Sequence, residues 1–269
     1  MNPPLPRRAY ADGPFGQVHY RVLGQGPAVL MFHQAPMTSA QFDGVYGPLS
    51  AHGLQVIGVD MPGFGMSDPT DFVPRVEDYA RVAPAVLDAL GLDKAVMLGH
   101  HTGSAVATEA ALQFPDRAIA LVLAGPLPLT EEERSNFLAT VTVQEQAFAA
   151  LPGGEHLAEM FKTRERMAAG SVPLHRLSDY VIQALSGRGA YWHGHHAAFQ
   201  YRHELSLLKV KHPAFILTNT GDMIYDLALR ARALRPDFAY AELDGGGVDI
   251  VDQQPDAWSA LVAGFVHSL

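Results

Sequence analysis

Two adjacent histidines, His100 and His101, stand in the run LGHHTGSAVA, between an apolar segment and a helix-like one. An aspartate, Asp222, follows another apolar segment in TGDM. A third group, YWHGHHAAFQYRHE, sets His193, His195, His196 and His203 among Trp192, Phe199 and Tyr201. Imidazole exchanges protons near neutral pH and is a common metal ligand. The chain has no cysteine, so disulfides, thiolate catalysis and thiolate metal sites are excluded. The third group lacks the His-Glu-x-x-His spacing that sets two imidazoles on one helical face. No metal and no other cofactor is expected. Trp192, His193 and His196 are expected to wall a pocket.

The elements that must position these residues follow from hydrophobic periodicity. Gln17–Leu23 alternates, as a half-buried strand does, whereas Ala28–Phe32, Leu54–Val59, Ala95–Leu98, Ile119–Ala124 and Phe215–Thr218 are continuous apolar runs. Such runs suit strands covered on both faces. Helical patterns occupy Ala40–Ala51, Val76–Leu90, Gly103–Gln113 and Asp256–Phe265. This alternation predicts an α/β fold: a mostly parallel sheet with helices on both faces. Between about Pro126 and Leu205 the pattern is helical only, with candidates at Thr130–Thr140, Val143–Ala150, Glu155–Ala169 and Leu177–Leu185. Residues 127–205 are therefore expected to form a helical cap inserted into a core made of residues 1–126 and 206–269. Thr130 is expected to cap its helix, with Glu131–Glu133 in the first turn.

Composition limits the partners. A 269-residue chain that is 48% hydrophobic can bury a large single core. Its net charge of −9 argues against nucleic acid and anionic membranes, which require a basic face. No run of about 18 apolar residues suggests a membrane span. The proline-rich start, MNPPLPRRAYADG, lacks the apolar middle of a secretory signal, so a cytoplasmic location is expected. The remaining partner class is a small-molecule substrate.

Four segments in order, FHQAPMTSAQF, GVDMPGFGMSD, LGHHTGSAVA and TNTGDMIYD followed by LDGGGVDIVDQQPDAW, resemble the α/β-hydrolase family. The likeness is to its capped esterase, epoxide-hydrolase and dehalogenase-like branch. It implies that Gly99-x-His101-x-Gly103 is the nucleophile elbow, a strand-to-helix turn at positive φ. Histidine stands where the family carries serine, cysteine or aspartate. Ser104, three residues on, lies in the helix and cannot occupy the tip. The family's loop histidine, counted back from Pro255, falls on Val248, whereas its acid is present as Asp222. The resemblance places oxyanion donors at the backbone N–H of Thr102 and of Ala35, in His33-Gln34-Ala35-Pro36, where Gln34 replaces the usual glycine. His100 and Gln34 join the candidate binding residues. His33 and Pro36 are expected to brace the loop. Asp60 and Asp68 are expected to serve the GVDMPGFGMSD turn and the cap.

A buried carboxylate without a partner costs several kcal/mol. Val248 leaves room for an imidazole, so a His101–Asp222 dyad is expected. Three functions fit. The first is hydrolysis of a small, largely apolar ester or lactone, with His101 as general base. The second is cofactor-free lyase, isomerase or cyclase chemistry by the same dyad. The third is a non-catalytic receptor.

Overall fold

The computed structural model describes residues 5–269; residues 1–4, within the proline-rich start, lie outside it. In chain order the elements are β1 (Arg7–Gly13), β2 (Gly16–Leu23), β3 (Ala28–Phe32), α1 (Asp43–Ala51), β4 (Gln55–Val59), α2 (Val76–Ala80), α3 (Val82–Ala89), β5 (Ala95–His100), α4 (Thr102–Gln113) and β6 (Ala118–Ala124). Helices alone follow: α5 (Glu131–Phe137), α6 (Val143–Gln146), α7 (Glu155–Ala168), α8 (Leu174–Leu185), α9 (His193–Gln200) and α10 (His203–Leu207). The sheet then resumes with β7 (Ala214–Asn219), α11 (Tyr225–Leu234), β8 (Ala239–Leu243), α12 (Ile250–Gln253) and α13 (Pro255–His267).

The strands form one sheet in the order β1-β2-β4-β3-β5-β6-β7-β8. β1 pairs antiparallel with β2, and β2 antiparallel with β4; every other pairing is parallel. The apolar runs explain the layers. Successive side chains of a strand point to opposite faces. Leu30 and Phe32 of β3 pack on one face with Met97, Leu121, Ile216 and helical residues Val82, Val86, Ala105 and Ala228. Val29 and Met31 pack on the other with Val96, Val122, Leu217, Val45, Leu49 and Trp258. A fully buried side chain of this size contributes about 1.5–3 kcal/mol, so both faces must be covered.

Two local differences from the periodicity have clear causes. The strands β1 and β8 lie at the sheet edges, and their RRAYADG and AYAEL patterns carry no apolar run. The Val76–Leu90 pattern is broken after Ala80 because Pro84 has no N–H for the Ala80 carbonyl and its ring crowds that group. Thr130 caps α5 as expected, in a reciprocal box with Glu133. The two patterns after it are joined by a π-helical turn at Leu138–Thr142.

The helical stretch after β6 touches the core through two apolar clusters. Met37 packs with Ala168, Val172, Leu177 and Tyr180. Leu127, Leu129, Ala198, Phe199 and Leu227 form the other. Among the described residues, no helix is long and apolar enough to cross a membrane.

Candidate functional site

The parallel strands β3, β5, β6, β7 and β8 end along one edge of the sheet, the usual place for a ligand crevice in such folds. His101 stands between β5 and α4 with φ 49° and ψ −113°. Its N–H donates to the Ala124 carbonyl (2.8 Å), and its carbonyl accepts from Ser104 N–H (2.7 Å). The flanking glycines are steric requirements. A Cβ on Gly99 would lie 1.9 Å from the Gly103 carbonyl oxygen, and one on Gly103 would lie 2.0 Å from that of Phe32. Histidine tolerates positive φ better than most residues. The strain of such a conformation is of the order of 1–3 kcal/mol.

His101 Nε2 lies 2.7 Å from Asp222 Oδ2. Asp222 Oδ1 accepts from Ile224 N–H at 3.1 Å. The Asp222 side chain is 1% exposed and that of His101 11%, so the imidazole forms the open side of the pair. Burial alone would raise the carboxyl pKa, but the neighbouring imidazole, its hydrogen bond and the Ile224 N–H together hold it below the usual carboxylate value. An ionised Asp222 only accepts, so Nε2 carries the shared proton. Nδ1 is then the basic nitrogen of the neutral ring, and it has no partner among the described residues.

What abuts the ring is Gly125, just past β6. A Cβ there would meet His101 Cδ2 at 2.4 Å and Nε2 at 2.8 Å, and Gly125 has φ 62°. This residue carried no sequence signal. Val248 is buried. Its loop is tied to the end of β7 by Asn219 Nδ2, which donates to the carbonyls of Gly245 and Gly247. His267 lies elsewhere, its Nε2 donating to the His52 carbonyl. Ser104 is fully buried, and its hydroxyl sits within 2.8 and 2.9 Å of the Gly99 and Ala124 carbonyls. Its proton is committed to the backbone.

The donor side of the site is a chain of oriented groups. Gln34 N–H donates to Gln41 Oε1 at 2.9 Å, so Gln41 Nε2 is the amide donor and points to His100 Nδ1. His100 therefore carries its proton on Nε2. Burial first, and the proximity of the His101 imidazole second, hold its pKa well below 6.5, so it stays neutral. The rings of His100 and His101 lie 4.4 Å apart. The N–H groups of Ala35 and Thr102 meet no acceptor among the described residues.

His33 braces its loop: Nδ1–H donates to the Gln34 carbonyl, and Nε2 accepts from Met61 N–H. Burial lowers its pKa to about 4. Asp60 accepts from His19 Nδ1 and from the N–H groups of Ser39 and Met66. Asp68 accepts from Gln17 N–H and Arg188. Both hold turns and not the pair.

Helix α9 lies over the Ala35 loop, because a Cβ on Gly194 would meet Ala35 Cβ at 2.6 Å. Trp192 stacks edge-on against His193 and His196, all three partly exposed. Burial lowers the pKa of both histidines. None of the three has a hydrogen bond to the pair. His195 pairs with Glu145 at 2.7 Å. His203 is wholly internal, with Nε2–H donating to Thr108 and Nδ1 accepting from Leu127 N–H. Among the described residues no three His, Asp or Glu side chains are arranged to hold a metal ion. Sequence reasoning also missed Asp249, a buried carboxylate that pairs with Arg164 and lies within electrostatic reach of the His101 imidazole.

A match to the alpha/beta hydrolase fold family covers residues 27–161, half the chain. A 2-hydroxy-6-oxo-6-phenylhexa-2,4-dienoate hydrolase from Burkholderia cepacia is 37% identical over 114 residues, 41% of this chain and 40% of the relative. A 2-(acetamidomethylene)succinate hydrolase from Mesorhizobium japonicum is 29% identical over 170 residues, 63% of this chain and 58% of the relative. The first of these matches thus spans about two-fifths of the relative's length. The fold is similar to that of an esterase from Exiguobacterium antarcticum, with TM-score 0.81 and 16% identity over 97% of this chain and all of that one. It is also similar to an E-2-(acetamidomethylene)succinate hydrolase, with TM-score 0.79 and 19% identity over 97% and 99%. The chain belongs to the α/β-hydrolase fold family.

Proposed function

We propose that the chain hydrolyses small, largely apolar esters or lactones by general-base catalysis at His101, with residues 127–205 as a cap over a core of residues 1–126 and 206–269. The observation that carries this reading is the 2.7 Å His101–Asp222 contact at the elbow, which leaves Nδ1 free. Nδ1 is bonded to Cγ, two bonds from Cβ, and so reaches one bond farther from the backbone than a serine oxygen would. A water donating to Nδ1 would lie about 3 Å beyond it, a hydrogen-bond length farther into the site.

In this reading Nδ1 takes a proton from that water as its oxygen bonds to the substrate carbonyl carbon. The N–H groups of Thr102 and Ala35 hold the developing oxyanion. The Asp222 carboxylate stabilises the imidazolium. Nδ1 then returns the proton to the departing alkoxide as the C–O bond breaks, giving acid and alcohol. General-base assistance contributes roughly 10²–10⁴ in rate, and each oxyanion donor of the order of 10²–10³. These magnitudes suit activated acyl groups and are small for an amide.

The test is turnover of p-nitrophenyl and lactone panels by the wild type and by His101→Ala. Turnover that survives unchanged in His101→Ala sinks the reading. If no ester is hydrolysed but His101-dependent deuterium exchange occurs at carbon next to a carbonyl, the dyad serves proton transfer without hydrolysis. If neither occurs, the site is a receptor.

A further inference from the structure

The segment that carries Ala35 is gripped from outside the core. Helix α8 presents Arg176 and Gln183, seven residues apart and so on one helical face. Gln183 Oε1 accepts from the Thr38 hydroxyl at 3.2 Å and from Thr38 N–H at 3.4 Å. Arg176 Nη2 donates to the carbonyls of Ala40 (2.8 Å) and Gln41 (3.3 Å). The Arg176 Nε is 3.1 Å from both carboxylate oxygens of Asp252 on α12, and Nη1 faces Asp43 and Asp179 at 3.8 and 3.6 Å. Tyr180 donates its hydroxyl to Asp252 and lays its ring beside the guanidinium. Gln41, gripped at its carbonyl, is also the residue whose side chain holds Gln34 N–H and the His100 ring.

We propose that Arg176 and Gln183 are positioning residues that assemble the donor side of the His101 site: α8 fixes the Gln34–Gln41 segment, and through Gln41 it sets both the Ala35 N–H and the tautomer of His100. The logic is orientational. Gln41 can accept from Gln34 and donate to His100 only while its backbone is held, and Arg176 holds the Gln41 carbonyl itself. Releasing the segment frees the Gln41 amide to turn. His100 then loses the donor that keeps Nδ1 unprotonated. A helix outside the sheet thereby controls hydrogen-bond donors at the ends of β3 and β5. The catalytic half of this inference rests on the hydrolytic reading above; the tautomer half does not.

The experiment therefore has two arms. In the first, kcat and KM for p-nitrophenyl butyrate are measured for wild type, Arg176→Met, Arg176→Lys and Gln183→Leu. Arg176→Met is expected to lower kcat about 10–100-fold with little change in KM, as for a weakened oxyanion donor. Lysine, which can still donate to the carbonyls, should recover part of the loss. Gln183→Leu should lower kcat less. In the second arm, 15N spectra of imidazole-labelled protein report the His100 tautomer. Wild type should show a pyridine-like Nδ1 and a pyrrole-like Nε2, and Arg176→Met and Gln41→Leu should mix the two forms. A kcat loss with the His100 spectrum unchanged reflects general destabilisation and overturns the proposal. So does a changed spectrum with unchanged kcat in an enzyme that turns the ester over. If the wild type hydrolyses no ester, the hydrolytic reading fails separately and the spectra alone decide.

Discussion

At the scale of the residue, the site is a carboxylate and an imidazole each incomplete without the other. Asp222 is sealed, and its second oxygen is already taken by Ile224 N–H. Under the proposed general-base mechanism, replacing Asp222 with Asn should cut turnover roughly 10²–10⁴-fold, because an imidazolium at His101 would lose its counter-charge. Thermal unfolding should remain cooperative, which circular dichroism would check. The carboxyl pKa is lowered in the fold, so its contribution to stability is present above the unfolded value near 3.8 and is lost as pH falls through the lower folded value. Stability curves measured below pH 4 should be flatter for Asp222→Asn than for wild type. Gly125 supplies the space for the ring. Gly125→Ala places a methyl inside van der Waals contact of His101 at a positive φ, so it should abolish turnover and lower Tm together. Unaltered kinetics in that variant would mean that the ring sits elsewhere.

At the scale of the element, the elbow strand–helix unit fixes the position of the His101 imidazole, and the neighbouring turns fix the groups that point at it. His101 N–H, Ser104 N–H and the Ser104 hydroxyl all bond to the backbone around the elbow, which leaves no free hydroxyl on Ser104. Incubation with a fluorophosphonate should therefore give no adduct by intact mass. A stoichiometric adduct mapped to Ser104 would contradict the elbow as described. Gly99→Ala and Gly103→Ala should fail to fold, because each Cβ would lie within about 2 Å of backbone that cannot move independently.

Across the whole molecule, buried neutral histidines make the fold sensitive to acid. His33 and His203 are buried in fixed tautomers, with pKa values near 4 and 3. Their pKa values are depressed relative to the unfolded 6.5, so the unfolded chain binds more protons between those limits and stability falls as pH drops through that window. For His33 the shift corresponds to roughly 3 kcal/mol. Denaturant midpoints should fall steadily from pH 6.5 to 4. In His203→Asn the fall should be shallower, because the amide can keep the Leu127 N–H bond without a titrating group. An equally steep fall in that variant would assign the acid sensitivity to other groups.

The sequence alone determined the α/β alternation, the position of the elbow, the missing loop histidine and the residues at the turns, because each is encoded within a few neighbouring positions. Gly99, His101 and Gly103 announce a strand-to-helix turn, and the apolar runs announce buried strands. The edge strands β1 and β8 escaped because one-sided exposure leaves no apolar run. Only the tertiary structure decided that Nε2 and not Nδ1 faces Asp222, that Gly125 borders the ring, and that Gln41 fixes His100. Those facts depend on residues 121, 24 and 59 positions apart meeting at one sheet edge. Local spacing carries no information about such meetings; chain crossover and side-chain packing create them.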